Sequence, residues 1–193
     1  MRMKEVATCL PIWTTSSSIA VEIVSRLTSD SINQGLVYPG GAFQLNVIIT
    51  WGMRTTARTA QSIDFHNWTE AFRTLPLIDM DKEGGRDLGF WKDWVEHPSY
   101  DDFWDAVNDE KRWGEISVPA FNMGGWYDLY APQTFINFNG LRLQGRTPEA
   151  RQSKLIVGPW PHGLSKSTRT GDIDFGSHSL VDLESLEMKW FDY

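Results

Sequence analysis

Cysteine is almost missing from this chain: Cys9 stands alone among 193 residues. One thiol excludes an internal disulfide and a cysteine-based zinc site, and it is compatible with a reducing compartment such as the cytoplasm. Long apolar runs are missing as well. None approaches the length of a membrane span, so no membrane partner is expected. The opening MRMKEVATCLPIW has two early positive charges but neither a continuous apolar stretch nor a small-residue cleavage pattern, so no secretory leader is expected. Positive charge is sparse. Eighteen Lys and Arg against 25 Asp and Glu leave a net charge of −7 without a basic stripe, which argues against nucleic acid as a partner. Glycine-rich phosphate loops are absent, and Gly84-Gly85 does not complete one. Internal repeats and low-complexity blocks are absent too. Aromatic residues, by contrast, are abundant: ten Trp, ten Phe and five Tyr suit apolar pockets as well as a core.

Along the chain, Ile19–Val24 reads as a short strand rich in β-branched residues. Pro39-Gly40-Gly41 marks a turn, and Ala42–Met53 is apolar nearly all round, as a largely buried helix would be. Phe65–Leu75 places Phe65, Trp68 and Phe72 on one helical face and ends at Pro76. Ser99-Tyr100-Asp101-Asp102 fits a helix start, with Ser99 as the cap and Phe103, Trp104 and Val107 turned inward.

The stretch 116–163 carries the chemistry. Two apolar runs, Val118–Met123 and Lys154–Val157, read as buried strands. Each enters a turn rich in Gly and Trp that ends on one titratable residue, first Asp128 and then His162. Thr134–Leu143 lies between them as a helix, with Phe135, Phe138 and Leu141 at three-residue steps. The β–α–β order predicts parallel neighbours. Residues 164–177 read as a polar loop. A closing amphipathic helix then carries Leu180, Leu183, Leu186 and Trp190 on one face.

Chemistry in an open parallel sheet sits beyond the carboxyl ends of the strands. An Asp and then a His on successive strand ends match the last two members of a Ser…Asp…His relay in α/β-hydrolase chain order. Asp128 is equally suited to cap the helix that begins near Pro132, and His162 alone reads as an exposed loop histidine. Asp128 on the preceding strand end favours the relay. The nucleophile elbow G-x-S-x-G that should precede Asp128 does not occur in these residues. Ser16, Ser17 and Ser18 have no flanking glycines. His66, His97 and His178 have no H-x-x-H company, and a metal set of His97, Asp101, Asp102 and His162 requires assumed proximity.

The motifs Pro98…Tyr100-Asp101-Asp102-Phe103-Trp104, Val118-Pro119, Gly124-Gly125-Trp126-Tyr127-Asp128 and Val157-Gly158-Pro159-Trp160-Pro161-His162-Gly163 resemble the cocaine esterase and X-prolyl dipeptidyl-peptidase group of serine hydrolases. Met188-Lys189-Trp190-Phe191-Asp192 is similar to the helix that follows the family's histidine loop. Thr28-Ser29-Asp30 and Tyr38-Pro39-Gly40-Gly41-Ala42 resemble the entry to its helical cap. The resemblance implies a partial α/β-hydrolase core of about three parallel strands with an inserted helical cap. It places the end of the core's N-terminal half at 1–41, the cap at 42–98 and the C-terminal half at 99–193. It implies Asp128 as the triad acid, His162 as the general base, and Trp51, Trp126 and Trp160 as lining of the acyl pocket. It also implies a cofactor-free cleavage of esters and amides, including the release of N-terminal dipeptides ending in proline, with a small-molecule ester or amide or a short peptide as substrate.

Three departures qualify the resemblance. The elbow is not matched, and the oxyanion-hole segment and the family's C-terminal jelly-roll have no counterpart, so the chain resembles the middle of a family member. Relatives that act on α-amino acid esters carry acidic residues after the triad Asp, whereas Leu129-Tyr130-Ala131 follow here. The expectations are a serine hydrolase whose isolated chain is inactive, or alternatively an inactive truncated homologue or pseudoenzyme that binds apolar ligands. A bare sheet edge is expected to favour self-association.

Overall fold

A computed structural model describes residues 23–26, 32–56, 63 and 67–192. Cys9, Ser16–Ser18, Ile19–Glu22, Thr28–Asp30, Phe65 and His66 lie outside the described residues. The chain divides into two compact units. Of the described residues, one unit takes in Leu36–Val107, and the other takes in those between 23 and 35 and those from Asn108 onward.

The unit containing Leu36–Val107 is helical and built on aromatic rings. The apolar stretch after the Pro39 turn forms α1 (Leu45–Thr55), which buries Ile48, Ile49, Gly52 and Met53. Trp68 and Phe72 stack at 5.7 Å, but the helix there is a single turn, α2 (Trp68–Ala71), capped by the Asn67 side chain. The longer helix expected over 65–75 does not form in the described part: after Ala71 the chain bends toward Pro76, which removes a backbone donor. Further short helices follow as α3 (Met80–Glu83), α4 (Trp91–Glu96) and α5 (Asp102–Asp105). Trp94 is fully buried. It packs against Trp51 (centroids 6.3 Å apart), Phe90 (4.6 Å) and Trp104 (5.8 Å). The Tyr38 hydroxyl donates to the Trp94 carbonyl at 2.9 Å. The cap of α5 is Asp101, which accepts from the Phe103 N–H, rather than Ser99. Trp104 alone of the three expected inward residues is fully buried, because this helix is only one turn long.

The other unit is a helix–sheet–helix sandwich. Strands β1 (Ile23–Arg26), β2 (Ala120–Gly125) and β3 (Lys154–Gly158) form a parallel sheet in the order β1-β2-β3. Register pairs Ile23 with Ala120 and Phe121 with Lys154. The middle strand β2 is buried throughout. Its two faces differ, as strand alternation requires. Ala120, Asn122 and Gly124 face α6 (Ala131–Gln144), while Phe121 and Met123 face α7 (Leu183–Phe191).

The α7 side is apolar: Leu183, Leu186 and Trp190 join Phe121, Met123, Trp160 and Leu164. Leu180, expected on that face, lies outside the helix and is exposed. The α6 side is polar and tight. Trp113 Nε1 donates to Asn137 Oδ1 at 3.1 Å, Asn137 Nδ2 donates to Asn122 Oδ1 at 3.0 Å, and Asn122 Nδ2 donates to the Lys154 carbonyl at 3.1 Å. Of the three apolar residues at three-residue steps along this helix, Leu141 is fully buried, and Phe135 and Phe138 are half-buried. The true inner face is Gln133, Thr134, Asn137, Gly140 and Leu141. Residues 164–177 are not wholly a loop: β4 (Arg169–Thr170) and β5 (Ile173–Asp174) make a small antiparallel hairpin. Its turn carries Gly171 at φ 57°, as tight hairpin turns require.

Candidate active site

The site lies at the carboxyl ends of β2 and β3. Those ends converge because two glycines permit unusually close backbone approach. A Cβ on Gly125 would stand 2.0 Å from the Trp160 carbonyl oxygen, and one on Gly158 would stand 2.2 Å from the Trp160 ring. Only glycine leaves these spaces open. The two exits are then laced together by Trp126 N–H to the Gly158 carbonyl (2.9 Å) and Tyr127 N–H to the Trp160 carbonyl (3.1 Å).

This lacing delivers Asp128 inward and His162 opposite it. The Asp128 side chain is 1% exposed and the His162 side chain 54%. His162 Nδ1 lies 3.1 Å from Asp128 Oδ2 and 3.2 Å from Oδ1. An ionised carboxylate only accepts, so Nδ1 carries the proton and Nε2 keeps its lone pair. The hydrogen bond to Asp128 raises the His162 pKa above its ordinary value, and burial opposes this more weakly. Asp128 does not cap α6: Tyr130 stands at the N-cap with no side-chain cap bond, and Asp128 Oδ1 instead accepts the Tyr130 N–H at 2.8 Å in a turn just ahead of the helix. This turn and the histidine contact are compatible, because a carboxylate has lone pairs enough for both donors.

Two elements hold the histidine loop. Leu164 N–H donates to the Pro161 carbonyl at 2.8 Å, and Thr170 Oγ1, from the hairpin, donates to the Pro159 carbonyl at 2.8 Å. Leu164 itself adopts φ 57° and is buried in the α7 cluster, which anchors the chain just past the imidazole.

The three expected pocket tryptophans have different surroundings. Trp126 is 64% exposed and leans on Phe135 at 5.2 Å. Trp160 is 1% exposed; its Nε1 donates to the Ser179 carbonyl at 2.5 Å, and its ring belongs to the α7 core. Trp51 is half-buried in the helical unit, stacked on Trp94. His97 Nδ1 and Asp101 Oδ2 pair with each other at 2.6 Å. No group of three His, Cys, Asp or Glu suited to a metal occurs among the described residues. Sequence reasoning passed over Tyr130, whose ring stands 5.4 Å from that of His162. The D-x-Y spacing of an Asp side chain bonding two residues ahead is the local signal that marks it.

The chain is similar to known proteins. The family model for X-Pro dipeptidyl-peptidase (S15 family) matches residues 9–164. Cocaine esterase from Rhodococcus sp. (strain MB1 Bresler) is 23% identical over 173 residues, covering 80% of this chain and 29% of the esterase. The crystal structure of an aminopeptidase from the marine sediment archaeon Thaumarchaeota archaeon aligns with a TM-score of 0.61 at 22% identity, over 79% of this chain and 27% of that one. This likeness shows a common fold. The chain spans under a third of the length of either relative. The family-model match takes in most of the sequence and places this chain in the X-Pro dipeptidyl-peptidase (S15) family.

Proposed function

We propose that this chain is part of a serine hydrolase that cleaves esters or amides through an acyl-enzyme, with Asp128 as the acid and His162 as the general base. The sheet β1-β2-β3 is then the last portion of an α/β-hydrolase core, and residues 42–98 are its helical cap. The observation that carries the reading is the contact of 3.1 Å between His162 Nδ1 and the buried Asp128 carboxylate. Such a carboxylate fixes the imidazole tautomer and stabilises the imidazolium that forms during reaction.

In the mechanism, a serine hydroxyl supplied from outside these residues attacks the acyl carbonyl. His162 Nε2 takes the hydroxyl proton and passes it to the leaving oxygen or nitrogen. Water then enters by the same base and releases the acid. Trp126 supplies an exposed aromatic wall beside Asp128, suited to an apolar acyl or leaving group. Trp160, with its ring in the α7 core, contributes by anchoring the histidine loop. No metal or organic cofactor enters these steps.

The test begins upstream in the gene. An in-frame G-x-S-x-G preceding this segment is expected. In the protein that includes it, His162→Ala should lower kcat by about 10⁶ and Asp128→Asn by about 10⁴, since triad members act as a unit. Ester turnover that survives His162→Ala unchanged would refute the assignment. The 193 residues alone should show no labelling by a fluorophosphonate probe. The absence of G-x-S-x-G within the sequence also supports a second reading, a pseudoenzyme that binds apolar ligands; a gene without the upstream motif would favour it.

A further inference from the structure

The main chain of the histidine loop is well fixed, but its imidazole is not. Pro159 and Pro161 and the Thr170 and Leu164 hydrogen bonds hold the backbone. None of them restrains rotation of a side chain that is 54% exposed. The Asp128 contacts, at 3.1 and 3.2 Å, are nearly symmetric and longer than the ~2.7–2.9 Å of a tight charge-assisted bond. An imidazole held only by such contacts can swing toward water.

Tyr130 meets both partners. Its backbone N–H donates to Asp128 Oδ1 at 2.8 Å, and its ring stands 5.4 Å from the His162 ring at 58°. The residue is held from the helix side as well. Its carbonyl accepts from Thr134 N–H at 2.9 Å and from Thr134 Oγ1 at 3.1 Å. Thr134 in turn abuts Gly124, where a Cβ would stand 2.9 Å from its Cγ2. A continuous set of contacts therefore runs from β2 through Thr134 and Tyr130 to the imidazole. Resting on the catalytic reading above, we propose that Tyr130 is a positioning residue for the Asp128–His162 pair: its N–H fixes one carboxylate oxygen and its ring buttresses the imidazole, so that Nδ1–H stays aimed at the carboxylate.

The tyrosine brings no competing charge. Burial, and then the negative charge of Asp128, push its phenol up to about 12, so it is neutral at physiological pH. Its aromatic ring, rather than its hydroxyl, performs the buttressing, and phenylalanine should substitute for it.

Long-range ¹H–¹⁵N correlation spectra of the 193-residue chain, taken across a pH titration, read both the His162 pKa and its neutral tautomer. Tyr130→Phe should keep the raised pKa and the Nδ1–H tautomer. Tyr130→Ala should let the pKa fall toward about 6.5, by half a pH unit or more, with the tautomers mixed. Tyr130→Leu, which retains apolar bulk at the helix entrance, repeats the measurement should the alanine variant fail to fold. The direction is diagnostic. A ring that merely shields the imidazole from water depresses its pKa, so its removal would raise the value. A rise, or no change, overturns the positioning role. Asp128→Asn separates this from the reading beneath it. If Asp128→Asn leaves the His162 pKa unmoved, the pair itself fails. If Asp128→Asn lowers it and Tyr130→Ala and Tyr130→Leu do not, only the role of Tyr130 fails.

Discussion

Asp128 serves two donors with one carboxylate, the Tyr130 N–H and the His162 ring. This makes the stability of the chain pH-dependent in a defined direction. Bonding to Asp128 holds the folded pKa of His162 above its unfolded value, so the protonated ring favours the folded state. That contribution is complete below about pH 6.5 and is lost as pH rises through the raised folded value. The ring is more than half exposed, so solvent screening keeps the effect under about 1 kcal/mol. Urea midpoints measured from pH 5.5 to 8 should fall across this window in the wild type, and the part of the fall due to the pair should vanish in Asp128→Asn. The pair was legible in the sequence because both members end strand-and-glycine turns. Tyr130 was only half legible: the D-x-Y spacing marks its turn with Asp128, but nothing local reveals that residue 130 meets residue 162. The core position of Trp160 was hidden for the same reason: its partner Ser179 lies nineteen residues away.

Between β2 and α6 the interface reverses the usual apolar pattern. Phe135, Phe138 and Leu141 recur at three-residue steps, yet of these only Leu141 is fully buried. The helix instead turns Thr134, Asn137 and Gly140 inward, because Asn122 and Gly124 on the strand demand a hydrogen-bonding and a close-packed partner respectively. Hydrophobic periodicity does not register a buried polar seam. Asn137→Ala would leave Trp113 Nε1 and Asn122 Oδ1 without their present partners. At about 1–3 kcal/mol for each such buried group, the expected loss is about 2–6 kcal/mol by urea denaturation. A double-mutant cycle with Trp113→Phe, which removes one of the two, should recover part of it. Gly140→Ala tests the packing. A Cβ there would stand 2.1 Å from the Trp113 ring. Overpacking costs about 1–3 kcal/mol, which outweighs the ~1 kcal/mol that alanine brings to a helix interior. The variant should therefore unfold at lower urea.

At the scale of the whole molecule, the parallel pairing of β2 with β3 followed from the β–α–β arrangement of residues 118–158. The bounds of β2 lie further along than expected, at Ala120–Gly125, since its last two glycines remain paired with β3. The hairpin after the histidine loop escaped notice because two-residue strands carry no periodicity. In the helical unit, the aromatic residues that suited pockets or core alike include Phe90, Trp91, Trp94 and Trp104, all fully buried. Among the described residues, β1 and β3 each pair with β2 alone. Outer strands with unpaired backbone groups invite further strands. Sedimentation equilibrium should accordingly show an average mass above 22.1 kDa that grows with protein concentration.

The meeting of Gly125 with the Trp160 carbonyl has a last consequence. Acid and base are spaced by main chain pressed on main chain, so their separation is gauged far more finely than flexible side chains could manage. A single methyl group at position 125 would act as a shim. Gly125→Ala should leave both partners in the polypeptide yet make the imidazole titrate like a solitary histidine, disabling the relay without touching either of its members.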